Sequence, residues 1–202
     1  MHAVILDIDG TLLDSSDADG DLYLAAVRAV LGNVKVRASW GLYRHVTDTG
    51  ILEDILRDNV MEVTSTVVGA VRDCFVASVG QHVAQHGPFT EIPNAREFVL
   101  SLCASAAHQV AYATGGWLGS ASLKLSASGF PLHGVPLASS DDHAERRAIM
   151  LHALGQLDGV FDTVTYYGDG QWDEVAAKDL GWQFVPVGEK LGGLTTFQSV
   201  GA

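Results

Sequence analysis

The chain has 202 residues, of which 48% are hydrophobic, and its formal net charge is −12. This apolar content is enough for a hydrophobic core and excludes overall disorder. The acidic balance argues against nucleic acid as a main partner, because phosphate backbones are bound by clustered Lys and Arg, and no apolar run reaches the ~18 residues that indicate a membrane span.

The first predicted strand is AVILDI (3–8). Further along, residues 15–88 contain no convincing strand. DLYLAAVRAVLG and ILEDILRDNV have the pattern of helices. Between Thr64 and His86, five apolar residues recur every three or four positions, which indicates a third helix. These stripe residues are Val68, Val71, Phe75, Val79 and Val83. We therefore expect a helical domain over 15–88, inserted into a core formed by 1–14 and 89–202, with DSSDADG and GPFTEIP as its linkers.

Strands and helices alternate in the rest of the chain. QVAYAT (109–114), TVTYYG (163–168) and WQFVPVG (182–188) are continuous apolar runs, which suit strands covered on both faces, and PLASS (136–140) is a weaker fifth strand. Helices are expected after Asn94, around RAIMLHALG, and in DEVAAKDLG. This alternation predicts an α/β fold with a doubly wound parallel sheet, Rossmann-like in its organisation.

The cysteines and the N-terminus favour a cytoplasmic protein. Cys74 and Cys103 belong to no CxxC or Cys/His cluster, which is typical of reduced thiols. The N-terminal apolar run has no basic region before it and is interrupted by acidic residues, so no signal peptide is expected. We expect a monomer or homodimer that binds neither nucleic acid nor membranes.

Polar residues follow several of the predicted strands. Asp7 and Asp9 are two residues apart, so they face the same side unless Asp9 has already left the strand. The second strand ends in Thr114, Gly115 and Gly116, a hydroxyl with two glycines whose N–H groups can approach an anion. In open α/β sheets, ligands bind at the carboxyl ends of the strands.

A further strand leads into Asp169, with Asp173 four residues beyond it. Carboxylates that converge in one crevice repel each other strongly. A hard divalent cation relieves this repulsion, and a few carboxylate oxygens suit Mg²⁺. Bound Mg²⁺ also attracts phosphate.

This ordered set of motifs, DIDGT, a later strand ending in Thr-Gly, and GDGQWD, resembles the haloacid dehalogenase superfamily of hydrolases. The core resemblance covers about residues 3–14 and 90–190, and the helical insertion matches in position the cap of phosphoglycolate-phosphatase-like members. The resemblance implies that Asp7 is a nucleophile forming an aspartyl-phosphate and that Asp9 is the general acid/base. An Asp at position 9 is typical of the phosphatases and phosphomutases of the superfamily, whereas its dehalogenases lack it.

The same resemblance implies the remaining site residues. Thr114 and the N–H of Gly115 would hold the phosphoryl oxygens. Mg²⁺ would be bound by Asp169, by Asp7 and by the carbonyl of Asp9, with Asp173 supporting that site from a helix.

The chain departs from the family at the third motif, where a Lys normally balances the nucleophile and the phosphate. SSDDHAERRAIM contains no lysine. Arg146 fits this role best, as a permanent forked cation, with Lys124 and Arg147 as alternatives.

The predicted insertion contains the polar stretch WGLYRHVTDTGILED. Arg44 and Asp48 in this stretch are candidates for substrate contacts; alternatively Asp48 or Thr49 caps the following helix. We expect an Mg²⁺-dependent phosphatase acting on a small phosphorylated metabolite. The alternatives are a phosphomutase and a binding or regulatory protein with a degenerate site.

Overall fold

A computed structural model describes residues 1–200 and contains five strands and seven α-helices in this range. The strands are β1 (His2–Leu6), β2 (His108–Ala113), β3 (Leu137–Ala138), β4 (Thr163–Gly168) and β5 (Gln183–Pro186). The helices are α1 (Ser16–Leu31), α2 (Asp48–Asp58), α3 (Ser65–His86), α4 (Ala95–Ala104), α5 (Leu118–Ala127), α6 (Arg146–Gly155) and α7 (Gln171–Asp179). Short 3₁₀ helices lie at Trp40–Leu42 and Glu189–Leu191.

The sheet is entirely parallel, in the order β3-β2-β1-β4-β5. β1 is the central strand, and its Ile5 lies opposite Ala111 of β2 and Tyr166 of β4. Separate hydrophobic clusters cover the two faces, which explains why the strand residues are continuously apolar. The predicted α/β doubly wound fold is confirmed.

Two strands are shorter than the sequence predicts. β3 pairs with β2 only at Leu137 and Ala138, because the chain then turns so that the N–H of Ser139 donates to Asp142. β1 ends at Leu6, although the N–H of Asp7 still donates to the carbonyl of Tyr167 at 3.0 Å. Asp9 has therefore left the strand, and strand alternation does not set its direction.

The helical insertion (residues 15–88) consists of α1, α2, α3 and the connections between them. The predicted apolar stripe lies on α3 and is buried at Val71, Phe75 and Val79. The expected linker DSSDADG is mostly helix, because α1 already begins at Ser16. Asp17 and Asp19 lie in its first turn, where the helix dipole favours negative charge.

The predicted N-cap of α2 is wrong by one or two residues. Thr47 occupies that position, and its hydroxyl accepts the N–H of Gly50 at 3.1 Å. Thr47 has the extended backbone of an N-cap residue, whereas Asp48 and Thr49 are already inside the helix.

The two connections between the insertion and the sheet lie side by side. The N–H of Asp14 donates to the carbonyl of Thr90, and the N–H of Ile92 donates to the carbonyl of Leu12. The division into 1–14, 15–88 and 89–202 stays a prediction, and the last two residues of that range lie outside the described residues. No helix between residues 1 and 200 is long and apolar enough to cross a membrane.

Candidate active site

Asp7 lies directly after the central strand and faces an arginine whose side chain is only 11% exposed. Arg146 is the first residue of α6, and its Nη1 lies 3.2 Å from Asp7 Oδ1. Burial, followed by the nearby charge of Asp173, raises the pKa of Asp7 well above its ordinary value, and Arg146 opposes this shift. Arg146 is therefore the cation next to Asp7. Its neighbour Arg147 is exposed and pairs with Glu145 and Asp179.

The same arginine contacts a second carboxylate. Asp173, in the first turn of α7, is fully buried and lies 3.3 Å from Arg146 Nε. Its Oδ2 accepts the N–H of Gly170 at 3.1 Å, and its Oδ1 accepts the hydroxyl of Tyr166 at 3.4 Å. Burial raises the pKa of Asp173, while Arg146 lowers it. These contacts fix the arginine between two carboxylates.

Three carboxylates form a possible metal site. Asp7, Asp169 and Asp173 each place an oxygen within 4.8 Å of the others. Burial and the charge of Asp173 raise the pKa of Asp169 to about 7. The carboxylate of Asp169 occupies the space that a side chain on Gly10 would need, and the φ of +77° at Gly10 is a left-handed conformation that favours glycine. This all-oxygen donor set fits the preference of Mg²⁺.

Asp9 lies in a different charge environment. Lys124 of α5 is 0% exposed, and its Nζ lies 2.6 and 2.7 Å from the two oxygens of Asp9. It also donates to Asp19 of α1 at 2.6 Å, and Ser15 donates to Asp9 at 2.5 Å. Burial opposes the charge of Lys124, but Asp19 and Asp9 raise its pKa overall. Lys124 thus contacts Asp9 and Asp19 and is not the cation facing Asp7.

The loop after β2 is held between Arg146 and the insertion. Thr114 Oγ1 accepts the N–H of Gly116 at 3.0 Å. A Cβ on Gly115 would lie 2.5 Å from Arg146 Nη2, so only glycine lets the arginine approach this closely. The N–H of Asp48 donates to the carbonyl of Gly115 at 2.8 Å. The N–H of Gly116 is therefore already hydrogen-bonded within this loop. The loop itself lies beside Asp7.

Asp48 also joins the insertion to the core through its side chain. Its Oδ2 accepts the backbone N–H of Trp117 at 2.9 Å, and its carbonyl accepts the hydroxyl of Tyr23 at 2.7 Å. Burial, followed by the charge of Asp19, raises the pKa of Asp48 well above its ordinary value.

Two cavities meet at this site. An inner cavity of about 180 Å³ is lined by Asp7, Asp9, Thr114 and Asp48 among others. An outer cavity of about 550 Å³ is lined by Arg44, which is exposed and does not line the inner one. Both cavities are bordered by Val46, Arg146, Asp169, Trp172 and Lys190. The structure thus brings all predicted site residues except Arg44 to the inner cavity or into contact with its lining.

The family model of the haloacid dehalogenase-like hydrolases matches residues 1–181. The chain belongs to this family. The predicted hydrolase of the haloacid dehalogenase superfamily is therefore confirmed. No curated protein sequence gives a significant match.

The following solved structures are similar to this chain in fold. CbbY from Rhodobacter sphaeroides in complex with phosphate has 19% identity and a TM-score of 0.69, covering 98% of this chain and 89% of that one. A predicted phosphoglycolate phosphatase from Haemophilus somnus has 19% identity and a TM-score of 0.60, covering 91% and 84%. β-Phosphoglucomutase from Clostridium difficile has 12% identity and a TM-score of 0.71, covering 94% and 85%. At these identities, the similarity establishes the fold alone.

Within this hydrolase, sequence reasoning missed three residues that contact the site. The sequence places Ser15 and Asp19 in a predicted linker, yet Ser15 contacts Asp9 and Asp19 contacts Lys124. The sequence marks Tyr166 only as a strand residue, yet its hydroxyl donates to Asp173. Two aspartates at the start of an amphipathic helix signal an N-terminus, but nothing in the sequence pairs Asp19 with a lysine 105 positions away.

Proposed function

We propose that the protein is an Mg²⁺-dependent phosphatase that hydrolyses a small phosphorylated metabolite through a phosphorylated Asp7. The main support is the convergence of a buried carboxylate, a buried cation and further carboxylates at the end of β1. Asp7 lies 3.2 Å from Arg146 and within 4.8 Å of oxygens of Asp169 and Asp173. The similarity to CbbY with bound phosphate also supports phosphoryl chemistry.

In this mechanism, an oxygen of Asp7 attacks phosphorus and the ester oxygen leaves with the proton of Asp9. Asp9 then takes a proton from the water that hydrolyses the aspartyl-phosphate. Arg146, and Thr114 with the N–H of Gly115, orient the phosphoryl oxygens. Each step therefore assigns a different task to the two aspartates of DIDGT.

The donor set described above fits Mg²⁺. Asp7, Asp169 and the carbonyl of Asp9 would hold the ion, with Asp173 in support. When bound, it supplies positive charge that stabilises the transferring phosphoryl group. The chain's own contribution is to hold these oxygens together in a buried site.

The insertion would act as a cap that opens for exchange and closes for chemistry. The contacts across its junction with the core include Thr47 to the carbonyl of Ala144 at 2.7 Å and Thr49 to the carbonyl of Ser140 at 2.8 Å. Closing these contacts would exclude water from the aspartyl-phosphate until hydrolysis.

Replacing Asp7 with Asn tests the proposal, because the amide keeps the shape of the carboxylate but cannot form the intermediate. Asp7→Asn should abolish phosphate release from a panel of phosphate esters with Mg²⁺. Asp14→Asn, at an exposed position of the same loop, is the matched control and should keep full activity. Unchanged activity of Asp7→Asn would refute the nucleophile assignment.

The same panel of phosphate esters distinguishes a phosphatase from the other predicted functions. A phosphomutase would depend on a bisphosphate activator and release little net phosphate, whereas a degenerate member would release none. The cytoplasmic location and the monomeric or dimeric state stay predictions.

A further inference from the structure

The position of Asp9 determines on which side of the phosphoryl group the leaving alcohol lies. In phosphoryl transfer, the attacking and leaving oxygens are roughly in line. Asp9, the proposed proton donor to the leaving oxygen, lines the inner cavity and does not line the outer one. The alcohol of the substrate therefore occupies the inner cavity, under the helical insertion.

The wall of this cavity contains more carboxylates than free cations. Asp17, Asp19 and Asp48 line it from the insertion, and the insertion contributes no Lys or Arg to its lining within residues 1–200. The cations that line it belong to the core: Arg146 lies beside Asp7, and the charge of Lys190 lowers the pKa of Asp169.

Lys124 does not change this balance at the cavity wall. Its ammonium is buried and donates to both oxygens of Asp9 and to Asp19. A substrate carboxylate under the insertion would therefore meet Asp17, Asp19 and Asp48, and within residues 1–200 the insertion adds no Lys or Arg to the lining that could pair with it. Like charges without a partner are costly in a site of low dielectric.

Asp48 provides a polar contact for an uncharged group. The residue is only 8% exposed, and its Oδ2 accepts the N–H of Trp117. Its Oδ1 has no hydrogen-bond partner among the contacts of residues 1–200, although the side chain lines the cavity. Burial raises the pKa of Asp48 well above the ordinary value, and its unpartnered oxygen is placed to hydrogen-bond a hydroxyl.

The cavity is also small. Its volume of about 180 Å³ includes the phosphoryl position, and it lies below the roughly 300 Å³ at which ordinary ligand pockets begin. Tyr23, Trp40 and Trp172 form its apolar walls. This leaves room for an alcohol of a few atoms.

We propose that the substrate is the phosphate monoester of a small hydroxyl-bearing alcohol that carries no negative charge. Esters whose alcohol has a carboxylate or a second phosphate are disfavoured, because the insertion side of the inner cavity offers them carboxylates and no Lys or Arg. This inference rests on the proposed phosphatase function and narrows its substrate class.

Three esters with the same two-carbon skeleton test the charge directly: 2-hydroxyethyl phosphate, phosphoethanolamine and phosphoglycolate. With Mg²⁺, we expect kcat/KM for 2-hydroxyethyl phosphate to exceed that for phosphoglycolate about tenfold or more, given one unpaired like-charge contact. Phosphoethanolamine should also exceed phosphoglycolate. A higher kcat/KM for phosphoglycolate than for either other ester overturns the inference.

Assaying p-nitrophenyl phosphate in parallel separates the two levels of proposal. If none of the four esters is hydrolysed, the phosphatase function itself fails. If p-nitrophenyl phosphate is hydrolysed and phosphoglycolate has the highest kcat/KM of the three two-carbon esters, only the proposed substrate class is wrong.

A positive charge placed in the wall of the inner cavity should weaken the preference for 2-hydroxyethyl phosphate over phosphoglycolate. Trp40→Arg adds a cation to the wall, and we expect it to raise the kcat/KM ratio of phosphoglycolate to 2-hydroxyethyl phosphate by about fivefold or more. Val60→Arg adds the same charge to the insertion at a position that is 97% exposed and outside the cavity, so its ratio should stay at the wild-type value. Equal ratios in both variants would overturn the inference, and the wild-type series decides alone if Trp40→Arg does not fold.

Discussion

Two buried cations each lie between two carboxylates, but they connect different parts of the molecule. The core triad is Asp7–Arg146–Asp173, and the bridging triad is Asp9–Lys124–Asp19. All members of the core triad belong to the sheet and its flanking helices. The bridging triad includes a carboxylate from α1, so it joins the helical insertion to the sheet domain.

This difference explains how two aspartates only two residues apart can have unlike roles. Both carboxylates paired with Arg146 belong to the core, and among the hydrogen bonds of residues 1–200 its only one with the insertion is to the carbonyl of Val46 at 3.1 Å. The cation of Asp9, by contrast, is ion-paired with a carboxylate of the insertion. We therefore expect the geometry of the Asp7 nucleophile to depend less on docking of the insertion than the geometry of the Asp9 acid–base group does.

Removing the cation of the core triad should have the largest effect. Arg146→Met leaves Asp7 and Asp173 buried without their partner, at a cost of about 3–5 kcal/mol in the free energy of unfolding. The loss of a preorganised phosphoryl contact should lower kcat by about 10²–10³. Chemical denaturation and steady-state kinetics measure both quantities.

Arg147→Met is the matched control for this variant, since its guanidinium is exposed and pairs at the surface with Glu145 and Asp179. A surface pair of this kind contributes about 0–1 kcal/mol. If the two variants lost equal activity, the assignment of Arg146 as the cation of Asp7 would be wrong.

The bridging triad can be tested by a double-mutant cycle for stability. Lys124→Met alone should cost about 3 kcal/mol or more, because two carboxylates lose a buried partner. Adding Asp19→Asn should recover part of this cost, giving a coupling free energy of about 0.5–3 kcal/mol. Strictly additive effects would contradict the proximity of Lys124 and Asp19.

Asp19→Asn alone should act on the acid step more than on the attack. We expect about a tenfold lower kcat for an alkyl phosphate, whose alkoxide needs protonation, and a smaller loss for p-nitrophenyl phosphate, whose leaving group does not. Asp17→Asn, in the same helical turn but more exposed, is the control. Equal losses on both esters would indicate a structural role only.

The smallest expected effect is a pH-dependent rise in Tm caused by Mg²⁺. Burial raises the pKa of Asp7, and that of Asp169 to about 7, so the folded protein holds extra protons from about pH 4 upwards. The contribution of Asp169 to stability is fully present below that pH and is lost as the pH rises through about 7, and that of Asp7 is lost in the same direction as the pH rises. Since protons compete with a metal ion for these oxygens, Mg²⁺ should raise Tm more at pH 8 than at pH 5.5.

Each proton that Mg²⁺ displaces changes the stabilisation by Mg²⁺ by about 1.4 kcal/mol per pH unit. For a protein of this size, this corresponds to about 3–6 °C in Tm. Thermal unfolding with and without Mg²⁺ measures the increment. Asp169→Asn should lose it at both pH values, whereas an increment larger at pH 5.5 would contradict carboxylate ligation.

The sequence predicted the sheet and its acidic strand ends because both follow from local rules. Continuous apolar runs mark buried parallel strands, and carboxyl ends of such strands meet at one edge, which brings Asp7 and Asp169 together. The position of Arg146 in the third motif favours it over Lys124 as the cation opposite Asp7, and its Nη1 lies 3.2 Å from Asp7 Oδ1.

The bridging triad was beyond sequence reasoning. Lys124 lies on the face of α5 that the insertion covers, and that face is defined only once α1 is packed against the core. The same limit applies to Asp19, which has the composition of a solvated linker until Lys124 lies opposite. Long-range pairing of charges depends on tertiary packing, which no local pattern specifies.

Trp117 offers a consequence for measurement. This indole is fully buried where the loop after β2 meets the insertion, donates its ring N–H to Thr49, and lies within 5.6–5.8 Å of the rings of Tyr23 and Phe75. Its environment is apolar only while the two parts are in contact. Its fluorescence emission should therefore shift to longer wavelength whenever the insertion swings away, giving the enzyme an intrinsic optical reporter of opening.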